Sequence, residues 1–260
     1  MAKIAIVTGA TGGLGQEFIK EIQKIDEIDE IWAVGRNEKK LEELRKKYSI
    51  IRPVIADFST DGVEVIKQKI QKELRANIDD VRFLINNAGI GYMGHFDKQG
   101  TEDIEKLCKI NCSAPAALMS LCIPYMKRGA KIINVSSASS FQPNPYLSMY
   151  SASKVFLKNL SRAVSVELKS RGITVTCVCP GWIDTEMLPD EKDGEKIHYT
   201  GKISAEKVVK KAMRDCLKGK DISTPGAFAS YFRIYSKYTP TKIVMKQWVK
   251  AIRKYVVWDT

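Results

Sequence analysis

The chain has 260 residues, 44% of them apolar, and a formal charge of +12. That length suits one large domain with a sizeable core, and no window approaches about 18 continuous apolar residues, so no membrane-spanning helix is expected. Residues 1 to 15 lack the basic-then-apolar pattern of a secretory leader, which makes the cytoplasm the expected location.

The positive charge does not by itself indicate nucleic acid. Lysines alternate with glutamates in EKKLEELRKKY and KQKIQKELR, the pattern of solvated helix faces. No helix-turn-helix, zinc-finger or aromatic-rich RNA-binding pattern occurs, so no nucleic-acid partner is expected. The six cysteines form no Cys-x-x-Cys, and only His95 and His198 could join them. They read as buried reduced thiols, with no metal site.

Taken in order, Ile- and Val-rich runs alternate with helical patterns. KIAIVT, EIWAVG, IRPVIA, VRFLIN, KIINVS and ITVTCVC read as buried strands. Helices are expected over 13–25, 38–48, 60–76, 102–127 and 150–171, with Asn37 and Ser59 or Thr60 as N-caps and a kink at Pro115. Repeated strand–helix alternation implies parallel strands joined by right-handed crossovers. The fold expected is a single-domain α/β Rossmann fold over 1–260, a doubly wound parallel sheet with helices on both faces. After about residue 182 the alternation weakens. A substrate loop or lid over 183–203 and a C-terminal helical extension over 229–258 are expected there.

In such a sheet, ligands bind beyond the carboxyl ends of the strands. The first strand is followed by Thr8-Gly9-Ala10-Thr11-Gly12-Gly13-Leu14-Gly15, a turn through which a backbone can approach a phosphate at a helix N-terminus. Where an acid would bind a ribose 2′-hydroxyl, at the end of the second strand, stand Gly35, Arg36 and Asn37. A guanidinium there suits a 2′-phosphate and favours NADP(H) over NAD(H). Asp57 follows the third strand, Asn86-Asn87-Ala88-Gly89 the fourth, Ser136-Ser137 the fifth, and Cys179-Pro180-Gly181-Trp182 and then Thr185 the sixth.

Two Tyr-x-x-x-Lys matches occur, Tyr150 with Lys154 and Tyr238 with Lys242; about one would arise by accident. Tyr238 is followed by Thr239-Pro240, which ends or restarts a helix, so that match reads as accidental. On one helix Tyr150 and Lys154 share a face. A phenol that shuttles protons near neutrality needs its pKa lowered by roughly three units, about 4 kcal/mol of preference for the phenolate. The Lys154 ammonium is expected to supply that preference.

Together TGATGGLG, NNAG, Asn111, Ser137, Tyr150-x-x-x-Lys154 and PGWIDT resemble the short-chain dehydrogenase/reductase family, in order and spacing, over residues 3 to about 190. Arg36 resembles the NADP-preferring members, and the layout is similar to the branch of 3-oxoacyl reductase-like enzymes and hydroxysteroid dehydrogenases. The resemblance implies that Tyr150 donates the proton, Lys154 holds the nicotinamide ribose, Ser137 binds the carbonyl and Asn111 holds a water linked to Lys154. It implies a cofactor lined by Gly9, Thr11, Gly13, Leu14 and Gly15, then by Arg36, Asn37, Asp57 and Phe58. Further along come Asn87, Ala88 and Gly89, then Pro180, Gly181, Ile183 and Thr185. One departure is Ser139-Ser140, where the family commonly has a glycine.

Substrate contacts are expected from Ser137, Phe141, Tyr146, Tyr150, Trp182 and Met187. These are largely apolar, so the expected substrate is a small hydrophobic ketone or secondary alcohol, a steroid or a 3-oxoacyl chain. The alternative function is a catalytically silent NADPH-binding or scaffold protein of the same fold. The last segment, TPTKIVMKQWVKAIRKYVVW, reads as a basic amphipathic helix with Ile243, Trp248, Val249, Ile252 and Val256 near one face. It is expected to pack on its own domain or a partner subunit, in a homodimer with the family's tetramer as an alternative, and with peripheral membrane contact as the lesser reading of the segment.

Overall fold

The structure, a computed structural model, describes residues 2–25, 27–74, 80–185, 191–192, 195–197 and 199–252. The buried runs form β1 (Lys3–Thr8), β2 (Glu30–Gly35), β3 (Ile51–Ile55), β4 (Asp80–Asn86), β5 (Lys131–Val135) and β6 (Thr174–Val178). Sequence inspection misses one short strand of the same sheet. Two further pairs lie outside that sheet: β7 (Ile183–Asp184) with β10 (Ile203–Ser204), and β8 (Glu191–Lys192) with β9 (Glu195–Lys196). The missed strand, β11 (Ile222–Ser223), pairs parallel to β6 and completes seven strands in the order β11-β6-β5-β4-β1-β2-β3. Two residues are too few to show a periodic signal, which explains the omission.

Every pairing in the main sheet is parallel. Such a sheet must be covered on both faces. One cover consists of α1 (Gly13–Ile22), α2 (Glu38–Lys47) and α7 (Ala205–Leu217), which bury Phe18, Ile19, Leu41, Val208 and Val209. The other consists of α3 (Gly62–Leu74), α5 (Ala114–Cys122) and α6 (Ser148–Glu167), with Ile66, Ile70, Leu118 and Met119 buried and Leu160 and Val164 packed on them. The helical run Thr101–Tyr125 is long and apolar enough to cross a membrane by composition, yet Leu107, Ile110, Leu118 and Met119 are spent in the core. All six cysteines are free thiols, and no metal-ligand cluster exists among the described residues.

Of three local expectations, one holds and two change. Asn37 does cap α2, its side chain accepting from Lys40 N at 3.0 Å. Neither Ser59 nor Thr60 caps α3, because Asp57 captures that segment first: its Oδ1 accepts from Ser59 N at 2.8 Å and its backbone carbonyl from Gly62 N at 2.9 Å, so the helix starts at Gly62. The expected kink at Pro115 is instead a widened π-turn over Lys109–Ser113, between α4 (Thr101–Cys108) and α5. Pro115 sits in the first turn of α5, where its missing N–H is harmless.

The chain ends in α8 (Ala227–Tyr238) and α9 (Thr241–Ile252), broken at Thr239-Pro240. Tyr238 and Lys242 therefore belong to different helices, with Tyr238 exposed at the surface. On α9, Val244 and Ile252 are buried and Trp248 turns inward, but Ile243 faces out. Val256, Arg253 and Lys254 lie outside the described residues.

Candidate active site

The strand order reverses at β1, so the crossovers leaving β1 and β4 diverge to opposite faces and leave a crevice at their carboxyl ends. A cavity of about 850 Å³ fills it, running from Arg36 and Asp57 at one end to Phe232 and Trp248 at the other.

The first end is made mostly of backbone. Gly9 has φ +63°, and a Cβ on Gly15 would stand 2.2 Å from the Gly9 carbonyl oxygen. Only glycine allows this contact, which brings the first turn of α1, with N–H groups lacking intrahelical partners, up to the cavity wall. Thr8 Oγ1 accepts from Asn87 N at 2.9 Å and Ala88 N at 3.0 Å, while Asn87 Nδ2 donates to Thr8 O at 3.0 Å. These bonds tie the loops after β1 and β4 into one rigid piece. Arg36 is exposed, its Nη1 3.7 Å from Asp57 Oδ2. The Asp57 carboxyl is held below its usual range, chiefly by the Ser59 hydroxyl and further by Arg36.

Tyr150 and Lys154 sit one turn apart on α6, facing this crevice. Lys154 is buried, and its Nζ donates to Val135 O at 3.0 Å and lies 5.4 Å from the Tyr150 ring centroid. Asn111 stands in the π-turn, where the extra backbone residue re-aims a side chain. Its Oδ1 accepts from Ile90 N at 2.9 Å, and its Nδ2 donates to Ile90 O at 2.8 Å and to Ser153 Oγ at 3.0 Å. Asn111 thus lies behind the cavity wall, joining the loop after β4 to α6. Asn111 Oδ1 and Lys154 Nζ each come within 3.3 Å of where a Cβ on Gly89 would stand, so the three converge on one point. Ser137 lines the cavity while its Oγ accepts from Ser139 N at 3.1 Å, capping the turn Ala138–Phe141.

The acid–base balance differs from the expectation. Burial raises the Tyr150 phenol, with the Ser137 hydroxyl opposing. Burial also lowers Lys154 to about 8. The lysine's charge is weakened by its own desolvation and directed at the Val135 carbonyl, so the chain alone does not make the phenol acidic.

The other end of the cavity is aromatic. Trp182 stacks on Trp248, with centroids 6.2 Å apart and planes at 18°, and meets Tyr199 at 5.0 Å. Trp248 Nε1 donates to Pro145 O at 2.9 Å, and Phe228 stacks on Phe232 at 5.7 Å. Phe228, Phe232 and Trp248 line the cavity and were not among the expected contacts. The spacing of Phe228 and Phe232, one helical turn apart, is the signal that could have indicated them. β7 pairs with β10, and Lys202 Nζ meets Asp184 Oδ1 at 2.7 Å, so both ends of the expected lid rest beside Trp182.

Most of the expected cofactor residues line the cavity, from Gly9, Thr11, Gly13 and Leu14 through Phe58 and Gly89 to Pro180, Gly181, Ile183 and Thr185. Gly15 and Asn37 lie just behind it, the first in the turn, the second as the α2 cap. Two expected substrate residues are not brought there. Phe141 packs against Cys177, Cys179 and Ile222, under the Lys158 ammonium. Tyr146, in the left-handed region at φ 63°, sets its ring against His95 at 4.9 Å. A short loop alternates its side chains unpredictably, and here the sheet takes Phe141. Met187 lies outside the described residues.

Residues 3–196 match the sequence profile of the short chain dehydrogenase family. Among curated proteins, the very-long-chain 3-oxoacyl-CoA reductase of Anas platyrhynchos is 32% identical over 200 residues, covering 70% of this chain and 60% of that protein. The inactive hydroxysteroid dehydrogenase-like protein 1 of Homo sapiens is 33% identical over 193 residues, 70% of this chain and 56% of that one. The chain thus spans about three fifths of those relatives' lengths. Among solved structures, a short chain dehydrogenase of Burkholderia cenocepacia in complex with NADP superposes with a TM-score of 0.77 at 23% identity, over 95% of this chain and 98% of that one. The chain belongs to the short chain dehydrogenase family of oxidoreductases.

Proposed function

We propose that this chain is an NADP(H)-dependent oxidoreductase that interconverts a hydrophobic ketone and a secondary alcohol of 3-oxoacyl or hydroxysteroid type. The observation that carries the reading is one continuous cavity: a glycine turn and Arg36 at one end, an apolar aromatic wall at the other, and Tyr150, Ser137 and Lys154 between them. The NADP complex of the Burkholderia protein and the 3-oxoacyl-CoA substrate class of the duck relative support it.

The residues present fit a phosphorylated dinucleotide. The open N–H groups of α1 suit a pyrophosphate, Arg36 suits a 2′-phosphate, and Gly89, where a Cβ would stand 3.3 Å from Lys154 Nζ, leaves room for a ribose beside that lysine. NADPH, when bound, supplies the hydride. The chain's own part is positioning and proton transfer. Ser137 Oγ hydrogen-bonds the substrate oxygen, Tyr150 Oη donates the proton to it, and Lys154 Nζ holds a ribose hydroxyl. Asn111 fixes the loop after β4 against α6, which sets the distance between cofactor and tyrosine. Because burial holds the phenol protonated, Tyr150 is poised as the acid for ketone reduction.

A fluorescence titration with NADPH and NADH side by side tests the cofactor, and turnover of 3-oxoacyl thioesters and keto-steroids tests the chemistry. Tyr150→Phe is expected to cut turnover by about 10²- to 10⁴-fold with NADPH affinity unchanged. The inactive human relative makes a silent NADPH binder the competing reading; tight NADPH binding with no turnover in any such screen would establish it. The homodimer and the cytoplasmic location stand as part of the same proposal, and light scattering and cell fractionation test them.

A further inference from the structure

The helix α8 presents two apolar faces. Phe228 and Phe232 point into the cavity. On the outer side Tyr231 is 62%, Ile234 62% and Tyr238 75% exposed, and Ile243 of α9 is 48% exposed. Positions 231, 234 and 238 fall three and four apart, so they form one stripe along the helix. Large apolar side chains scattered singly are ordinary on a surface, but a stripe of them calls for an occupant.

The surrounding charge narrows what that occupant is. Residues 222–252 contain Arg233, Lys237, Lys242, Lys246 and Lys250, and none of the 30 acidic residues. All five cations are exposed. Some surface lysines elsewhere are paired with carboxylates, as in Lys20 with Glu17, Lys67 with Glu64 and Lys210 with Glu206. These five form no ion pair among the described residues. Uncompensated cations flanking a stripe of tyrosine and isoleucine match an interface with anionic headgroups above and acyl chains beneath. Tyrosine suits that boundary, with an apolar ring and a wet hydroxyl. An acidic soluble protein would satisfy the cations but leave the stripe's hydrophobic demand less well met.

We propose that the α8–α9 hairpin is a docking surface for an anionic lipid bilayer. Docked there, the hairpin holds the aromatic end of the cavity, formed by its inner residues Phe232 and Trp248, close to the layer in which a hydrophobic ketone dissolves. Only that last point rests on the proposed function; the docking itself does not.

The test is co-sedimentation of the full chain with vesicles of phosphatidylcholine alone and of phosphatidylcholine mixed with phosphatidylserine. Binding to the mixed vesicles is expected to exceed binding to the neutral ones by about tenfold or more and to weaken with salt. Two variants separate the contributions: Tyr231→Ser with Ile234→Ser and Tyr238→Ser, and Lys237→Glu with Lys242→Glu. Each is expected to lower binding by about tenfold while melting and NADPH titration stay as in the parent, showing that the fold and the cofactor end are intact. Equal sedimentation with both vesicle types, or full binding by the serine variant, overturns the proposal. So does a parent that ignores vesicles but elutes as a dimer that the serine variant splits, which assigns the stripe to a second copy of the chain. Loss of turnover without loss of vesicle binding bears on the activity alone.

Discussion

The two ends of the cavity are built in opposite ways. The end at Gly9–Gly15 and Asn87–Gly89 is shaped by main chain, and its side chains matter mostly by being small enough not to intrude. The end at Trp182, Tyr199, Phe228, Phe232 and Trp248 is shaped by large rings from four separate segments. A main-chain surface offers the same donors whatever the neighbouring sequence, which suits a constant ligand. A side-chain wall can be altered one ring at a time, which suits a variable one. On this view substitutions at the first end are severe and affect folding as well as binding, while those at the second re-tune selectivity.

The contrast is sharpest at Gly15. A methyl group there would stand 2.2 Å from Gly9 O and 2.8 Å from Ala10 Cα, both backbone atoms that cannot swing aside. Gly15→Ala is expected to destabilise the fold by about 3 kcal/mol or more and to abolish NADPH binding; an unchanged denaturant midpoint would break the comparison.

Lys154, between the two ends, gives an effect of similar size with a pH signature. Its folded value of about 8 lies below the 10.5 of a free lysine. Below about pH 8 both states carry the proton and the folded chain bears the whole cost of burying it. As pH rises toward 10.5 only the unfolded chain holds the proton, so this contribution makes the protein more stable with increasing pH, by about 3 kcal/mol in all. The stability difference between the parent and Lys154→Met is expected to shift in the parent's favour by that order between neutral and alkaline pH. A difference that stays flat would mean that the ammonium is not desolvated.

Arg36 tests whether the main-chain end has a side-chain exception. Arg36→Ala is expected to weaken NADPH by about 10- to 100-fold, the worth of a charge-assisted pair, and to leave NADH nearly unaffected. Equal losses for both cofactors would show that Arg36 does not read the 2′ position.

The smallest effect is expected at Trp248. Removing its ring deletes the stack on Trp182 and the bond to Pro145 O, so Trp248→Ala should raise KM for a bulky ketone by about tenfold with kcat and NADPH affinity little changed. Trp248→Phe, which keeps an aromatic face, should restore most of it. A fall in kcat with KM constant would place Trp248 nearer the chemistry than the cavity shows.

The strand ends carried most of what could be inferred in advance. Six of the seven strands, the glycine turn and the Tyr150–Lys154 spacing follow from periodicity and from contacts a few residues apart, which are fixed by local geometry. Asn111 was legible as a residue of interest, but not its setting. A π-turn at Lys109–Ser113 leaves no mark in the composition, since it is set by how α4 and α5 must bend to cover the sheet. The capping of α3 failed for the same reason, because Asp57 reached Ser59 through a turn that only the packed loop defines.

The sequence by itself determined the element order, the parallel sheet and the side of it on which ligands bind, because glycine turns and strand periods act through neighbouring residues. Only the tertiary structure decided that Phe141 belongs to the core and Trp248 to the cavity. It also decided that α8 shows apolar residues on both faces. Which way a ring points depends on what arrives opposite it from a hundred residues away, and in this chain burial of Tyr150 and Lys154, not their spacing, sets their proton affinities.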